Sequence, residues 1–164
     1  EYARSKNPDI LIEAEIGFIG KSSKLLDAVP EGVGRLTSVE EAKSFVEATG
    51  VDMLAPAVGN VHGIVKGGEP ALQTERIGEI KNAVNMPLVL HGASGNSVDD
   101  IRKAMKAGIS IIHINTELRV AFRSGLMKSL QENPDEIAPY KYLKGARNAM
   151  QKVVEEKLKL FNNL

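Results

Sequence analysis

The sequence predicts an α/β protein built on a parallel sheet of about four strands. Four apolar runs alternate with amphipathic segments, and near-continuous apolar character is typical of strands in buried parallel sheets. The runs are Ile10–Ile16, Val51–Val58, Met86–Leu90 and Ile109–Ile114. Strands that alternate with helices in this way pair in parallel through right-handed crossovers. The pattern fits half of an eight-stranded barrel or an open doubly wound sheet, and periodicity alone does not choose between them.

Helical segments with recognisable ends separate these strands. Ser38 followed by Glu41 is a capping-box pattern, and Thr49-Gly50 is a stop signal at the other end of the same helix. The remaining helices are predicted at Thr74–Val84, Ser97–Ala107, Glu117–Gln131 and, after a break at Asn133–Pro139, Met150–Phe161. A helical extension therefore follows the last strand.

The composition excludes several classes of protein. The chain has 21 basic and 21 acidic residues, which argues against a nucleic-acid binder because such proteins usually carry a basic excess. No apolar run approaches the roughly 18 residues that a membrane span needs. The sequence has no cysteine, so any metal must be held by His, Asp or Glu. These features favour a cytoplasmic protein.

The histidines fall at the C-terminal ends of the predicted strands. His62 follows the second strand, His91 ends the third, and His113 lies near the end of the fourth. This edge of a parallel sheet usually carries the active site, because the βα loops converge there. A single histidine at such an end is more often structural, but three at successive ends favour a functional site. His62 and His91 come from neighbouring strands, so their imidazoles could reach one zinc ion.

Three loops beside these histidines are candidate phosphate sites. Gly63–Gly68 contains Lys66, Gly92–Gly95 leads into a helix, and Asn115-Thr116 precedes the long helix after the last strand. Backbone N–H groups at helix N-termini bind anions. Each loop alone also fits an ordinary turn or cap, whereas their joint position next to the histidines favours phosphate binding.

Four motifs occur in an order that resembles a known family. They are Ile12–Gly17 (IEAEIG), His62–Lys66 (HGIVK), Leu90–Gly95 (LHGASG) and Asn115–Arg119 (NTELR). Together they are similar to the class II fructose-bisphosphate and tagatose-bisphosphate aldolases, and the similarity extends over nearly the whole chain, including Tyr140–Met150. The resemblance implies that residues 1–164 form one partial domain, the C-terminal portion of a (β/α)8 TIM barrel, whose N-terminal strands we expect to lie outside this chain.

The resemblance also implies an activity and roles for individual residues. The activity is zinc-dependent, reversible aldol cleavage of fructose 1,6-bisphosphate or a related ketose bisphosphate, giving dihydroxyacetone phosphate and glyceraldehyde 3-phosphate. Zinc is the expected cofactor, a monovalent cation such as Na+ or K+ is a second candidate ion, and a homo-oligomer (dimer or tetramer) is the expected assembly. The implied metal ligands are His62 and His91; the implied catalytic residues are Asn115 and Glu15; the implied phosphate ligands are Gly63, Lys66, Gly92, Ser94, Thr116 and Arg119.

The chain departs from the family pattern at several positions. Lys21-Ser22-Ser23 stands where the family usually has glycine and then an acidic residue in a mobile loop. His113 replaces a usual asparagine, and Ala93 replaces a common glycine. The family's third zinc histidine and its catalytic aspartate belong to an earlier strand. Two other functions remain open: a metal-free isomerase or epimerase barrel that binds a phosphosugar, and a non-catalytic barrel remnant.

Overall fold

A computed structural model describes residues 1–162 as a parallel sheet with helices packed against one of its faces. The elements are α1 (Tyr2–Lys6), β1 (Glu13–Ile16), β2 (Leu25–Leu26), α2 (Val39–Thr49), β3 (Met53–Pro56), β4 (Ile64–Val65), α3 (Thr74–Val84), β5 (Leu88–Leu90), α4 (Val98–Ala107), β6 (Ile109–Ile112), α5 (Thr116–Glu132) and α6 (Pro139–Phe161). Over this range, none of the helices combines the length and the apolar character that crossing a bilayer requires.

The main sheet confirms the predicted parallel α/β architecture. Its strand order is β1-β3-β5-β6, and each neighbouring pair is parallel. The four strands lie inside the four apolar runs of the sequence but are shorter than those runs. The reason is visible at Val58, which is fully buried in a loop after β3. An apolar run in the sequence indicates burial, and burial continues beyond the last residue that pairs with a neighbouring strand.

The two faces of the main sheet have opposite character. Leu54, Leu88 and Leu90 are completely buried on the face that packs against the helices, together with apolar side chains such as Ile77 and Ile101. Successive side chains of a strand point to opposite faces. The other face of β1 therefore carries Glu13 and Glu15, and this polar face is where the histidines gather.

The helix boundaries follow from local sequence chemistry. The Ser38 hydroxyl accepts a bond from the Glu41 backbone N–H at 3.1 Å, and the Glu41 carboxylate accepts one from the Ser38 N–H at 2.9 Å. This reciprocal pair is the predicted capping box. At the other end of α2, Gly50 is left-handed with φ 63°. Both predicted ends of this helix are confirmed.

The start of the last helix was predicted wrongly. The sequence pattern placed it at Met150, whereas α6 begins at Pro139, where the fixed φ of proline suits the first helical position. The pattern was hidden because Gly145 interrupts it. That glycine serves a close crossing with α5, since a Cβ at Gly145 would lie 3.0 Å from the Gly125 carbonyl oxygen.

Three short elements were not predicted. These are α1 and the strands β2 and β4, which form a separate parallel pair with Leu25 opposite Ile64. Strands of two residues are too short to produce a periodic signal. The pair matters for function because it ties the loop that contains Ser23 to the segment that follows His62.

We predict that truncating the centre of the helix-facing core strongly destabilises the fold. Leu88 is 0% exposed, so Leu88→Ala should lower the free energy of unfolding by about 2–5 kcal/mol. Leu130 on α5 is 43% exposed, so Leu130→Ala is the matched control and should cost no more than about 0.5 kcal/mol. Urea unfolding measures both values. Equal losses in the two variants would contradict the assignment of the core.

Candidate active site

Five titratable side chains converge at the C-terminal edge of the main sheet. Glu13 and Glu15 lie on β1, His91 directly follows β5, and His113 directly follows β6. His62 lies in the segment between β3 and β4. The parallel strand order brings these residues together although they span 101 positions of the chain, from 13 to 113. The predicted convergence of the three histidines at one edge is confirmed.

Two carboxylates connect the histidines. His91 Nδ1 lies 2.6 Å from Glu15 Oε2, and His91 Nε2 lies 2.7 Å from Glu13 Oε1. His62 Nε2 is 3.4 Å from the same Glu15 oxygen. Glu15 therefore joins His62 to His91, and Glu13 holds the opposite side of the His91 ring.

The contact between Glu15 and His91 spans an intervening strand. β1 and β5 flank β3, and neighbouring strands lie about 4.8 Å apart, so both side chains must reach inward over β3. The register places Ala55 beside Glu15. Because the Ala55 side chain is a single methyl group, it leaves room for the carboxylate and the imidazole to meet above it.

The environment of His91 favours its protonated form. Burial alone would lower its pKa, but the hydrogen bonds with Glu15 and Glu13, and the charges of these two carboxylates, outweigh burial and raise the pKa above the usual value. The His113 ring stacks on the His91 ring, with ring centroids 4.8 Å apart. A metal ion binds an imidazole nitrogen that carries no proton, so protonation of His91 competes with metal binding at its ring nitrogens.

The donor set is suitable for a zinc ion. Ligand atoms of Glu15, His62 and His91 all lie within 4.8 Å of one another, and so do those of Glu13, His91 and His113. Imidazole nitrogens and carboxylate oxygens are the zinc ligands open to a protein without cysteine, and catalytic zinc sites use three protein groups and leave one position open. His62 and His91 match two of those three groups, and the Glu15 carboxylate lies within reach of both imidazoles.

A cavity of about 150 Å³ opens beside the histidines. It brings together seven of the ten site residues predicted from the sequence. The lining consists of Ser23, His62, Gly63, His91, Gly92, Ser94, His113, Asn115 and Thr116. Ser23 and His113, two of the departures from the family pattern, are among these lining residues, so they alter the surface that a ligand would meet.

The loop after β5 is fixed by close backbone packing. Gly92 has φ 60°, and a Cβ at this position would lie 2.4 Å from the Val61 carbonyl oxygen. The buried Asn60 side chain donates to the His91 carbonyl oxygen at 2.9 Å. Only glycine fits here, and the tight contact holds His91 and the next residues of the loop in one arrangement.

Two predicted phosphate ligands lie outside this cavity. Arg119 donates from Nη1 to the Ser23 carbonyl oxygen at 3.1 Å and lines an adjoining groove with Lys24 and Arg123. The Lys66 ammonium instead pairs with Asp27 at 2.6 Å in an exposed position. The structure does not place Lys66 with the cavity residues, and its role as a phosphate ligand stays a prediction.

Several interactions at the site were missed by sequence reasoning. The contacts of Glu13 were missed, although Glu13 lies two residues before Glu15 in the first predicted strand and so shares its face. Glu69 gave no such signal. Its carboxylate accepts a hydrogen bond from the Val65 N–H at 2.8 Å, and burial raises its pKa. Its importance becomes visible only when the loop packing is known.

Comparisons with known proteins place the chain among aldolases. The family described as "Fructose-bisphosphate aldolase class-II" matches residues 1–164. The crystal structure of the YdjI aldolase from Escherichia coli K12 is 36% identical, with a TM-score of 0.74 over 98% of this chain and 53% of that one.

Two further crystal structures share the fold. A candidate fructose-1,6-biphosphate aldolase from Coccidioides immitis is 32% identical, with a TM-score of 0.75 over 98% of this chain and 55% of that one. A fructose-bisphosphate aldolase from Campylobacter jejuni is 22% identical, with a TM-score of 0.71 over 93% of this chain and 52% of that one, which supports the fold alone. The chain thus spans about half the length of these structures.

We predict that the two carboxylates set the titration of His91 in the metal-free protein. A histidine whose pKa is raised on folding contributes stability that is full below the unfolded pKa of about 6.5 and is lost as the pH rises through the folded pKa. Glu13→Gln and Glu15→Gln should each lower the His91 pKa in the folded protein. The stability that protonated His91 contributes should then be lost at a lower pH. Histidine NMR titration measures the shift.

The control for this titration is Glu47→Gln, an exposed substitution on α2 that should leave the His91 pKa unchanged. If the pKa stays raised in both carboxylate variants, the two hydrogen bonds are not its cause.

Proposed function

Because the chain belongs to the class II fructose-bisphosphate aldolase family, we propose that it supplies the C-terminal half of the barrel of a zinc-dependent ketose-bisphosphate aldolase. The reaction is the reversible cleavage of fructose 1,6-bisphosphate, or a related ketose bisphosphate, to dihydroxyacetone phosphate and glyceraldehyde 3-phosphate. The observation that carries the proposal is the cluster of His62, Glu15 and His91 beside a cavity lined by Ser94 and Thr116. We regard residues 1–164 as one partial barrel domain.

In this proposal His62 and His91 hold the metal. When bound, zinc supplies Lewis acidity to the ketone carbonyl. Glu15 contacts both imidazoles, at 3.4 Å and 2.6 Å, and so fixes their orientation in the way that outer carboxylates orient histidine ligands. The third group needed for a catalytic zinc site would come from the part of the barrel outside this chain.

The loops around the cavity are proposed to bind one phosphate of the substrate. Thr116 opens α5 and is 5% exposed, and the N-terminus of a helix attracts anions. Gly92 and Ser94 line the same cavity. A phosphate held there would anchor the substrate and align its ketone with the histidines, so binding energy far from the reacting carbon would lower the barrier.

Neighbouring residues are proposed to bind the rest of the ketose bisphosphate. Asn115 and His113 line the same cavity, where both can hydrogen-bond the ketose hydroxyls. Arg119 lines the adjoining groove with Lys24 and Arg123. These three cationic side chains would suit the second phosphate, because the groove shares Ser23 and Thr116 with the cavity.

The strand sequences support metal-assisted chemistry over a Schiff-base mechanism. A Schiff base requires a lysine, usually one in a desolvated pocket. The four strands of the main sheet read EAEI, MLAP, LVL and ISII and contain no lysine. Glu13 and Glu15 lie on β1 instead, and His91 and His113 directly follow β5 and β6, which provides metal-binding groups in place of a nucleophilic lysine.

The setting of the enzyme is proposed on similar grounds. We expect a cytoplasmic homo-oligomer that acts on phosphosugars. Met127 on α5 and Leu143 on α6 are exposed apolar side chains that would be available to such an interface.

We predict that the metal and the activity depend on the same histidines. In the complete barrel protein, His62→Ala and His91→Ala should each reduce the zinc content severely and abolish cleavage of a ketose bisphosphate, because a catalytic zinc site has only three protein ligands. Elemental analysis and a coupled cleavage assay measure the two effects. His113→Asn is the control and should retain zinc. Full zinc content in both alanine variants would refute the ligand assignment.

We predict that Lys66 contributes to phosphate binding once its exposed pair with Asp27 opens, because an exposed ion pair contributes at most about 1 kcal/mol. In the complete enzyme, Lys66→Ala should lower kcat/KM for a phosphorylated ketose by roughly ten- to a hundredfold or more, since a hydrogen bond to a charged group contributes about 1.5–3 kcal/mol. Steady-state kinetics measures the ratio.

The matched control is Asp27→Asn, which removes the ion pair but leaves Lys66 and should preserve kcat/KM. If Lys66→Ala lowers kcat/KM equally for an unphosphorylated substrate, or does not lower it at all, Lys66 is only a solvated surface charge.

A further inference from the structure

A carboxylate near the cavity connects its loop to the last helix. Glu117 Oε1 accepts a hydrogen bond from the Gly95 backbone N–H at 2.8 Å. The Lys157 ammonium lies 2.7 Å from Glu117 Oε2 and 3.0 Å from Oε1. In the same place the Glu117 backbone N–H donates to the Ser94 hydroxyl at 3.4 Å. Glu117 therefore contacts two consecutive residues of the candidate phosphate loop, Ser94 and Gly95, and also a lysine on α6.

The pair between Glu117 and Lys157 is unusually enclosed for this protein. Its side chains are 18% and 20% exposed, the lowest values among the lysine and arginine ion pairs of residues 1–162. The helical pair Lys103–Asp99 is 58% and 71% exposed by comparison. An exposed pair contributes little, whereas removing one partner of an enclosed pair leaves the other charge without compensation.

The geometry explains how the pair affects the loop. Glu117 lies in the first turn of α5, where the helix dipole also favours a negative charge. Gly95 is confined from the other side, because a Cβ at this position would lie 2.5 Å from Glu69 Oε1. Gly95 is thus held between two carboxylates. If Lys157 were lost, the Glu117 carboxylate would turn towards water and release one of these two restraints.

We propose that Glu117 and Lys157 are positioning residues that set the spacing of the phosphate-binding loop, so that the docking of α6 controls the affinity for a phosphate group. The proposal rests on the proposed function in that it takes the Gly92–Gly95 loop as a phosphate site. Neither side chain lines the cavity. Both act through Gly95 and Ser94, which precede α4 in the chain and face α5.

The test compares phosphate affinity in matched variants of the full protein. Lys157→Met keeps the length of the side chain and removes its charge, while Lys157→Arg keeps the charge. Lys152→Met, an exposed position on the same helix, is the control. Calorimetry with inorganic phosphate gives the affinity, and kinetics with a ketose bisphosphate gives KM and kcat separately.

The expected result is that Lys157→Met lowers the affinity for phosphate and changes little else. Substitutions that act through a neighbouring residue change affinity by about two- to thirtyfold. Lys157→Met should weaken the binding of inorganic phosphate by a factor in this range. It should raise the KM for the ketose bisphosphate by the same factor and leave kcat and the zinc content nearly unchanged. Lys157→Arg should restore most of the affinity, and Lys152→Met should match the wild type.

Other outcomes would overturn the proposal. It fails if Lys157→Met lowers only the melting temperature and leaves phosphate affinity unchanged, because that result describes a purely structural pair. It also fails if the wild type binds no inorganic phosphate. If Lys157→Met does not fold, Glu117→Gln serves instead, because it keeps an acceptor for Gly95 and loses the ion pair; unchanged phosphate affinity in that variant contradicts the proposal. An absence of ketose-bisphosphate cleavage refutes the proposed function, while the phosphate affinities still decide this inference.

Discussion

The contact of Glu15 with His91 and His62 is the interaction on which the candidate site depends. It joins side chains from β1, from the end of β5 and from the segment after β3, and it crosses β3 above the small Ala55 side chain. A parallel sheet makes this possible because all its strands end at one edge. A bulky residue at position 55 would fill the space where the carboxylate and imidazole meet. The sheet therefore brings the side chains of Glu15, His62 and His91 to one edge and leaves the space above Ala55 in which they meet.

The rest of the molecule supports that arrangement from two sides. Apolar side chains of β3 and β5 pack against α2, α3 and α4, so the strands cannot shift without disturbing the core. On the opposite face, the loops after β5 and β6 enclose the cavity, and each of them leads into a helix N-terminus. The core thus fixes the strands, and the loop after β5 carries both His91 and the cavity residues Gly92 and Ser94. Ser23 and His113, which depart from the family pattern, also line this cavity.

Much of this architecture was readable from the sequence, and the limits have physical causes. The strands, the capping box of α2 and the gathering of the histidines follow from local patterns and from the topology of parallel sheets. The start of α6 was misplaced because Gly145 serves contact with α5, which is invisible to periodicity. The partner of Lys66 could not be foreseen, since Asp27 lies 39 positions away. The link from Glu117 to Lys157 spans 40 positions, and only tertiary structure brings such pairs together. The roles of the site residues remain predictions for experiment.

The central claim is that the histidines at the sheet edge hold a catalytic zinc ion. The measurement that tests it most directly is zinc X-ray absorption spectroscopy of the protein, compared with its His62→Ala variant. The account predicts histidine nitrogens at about 2.0–2.1 Å from zinc, with fewer such nitrogens per zinc, or no bound zinc, in the variant. A spectrum with only oxygen ligands, or one that is identical in the two proteins, would contradict the account.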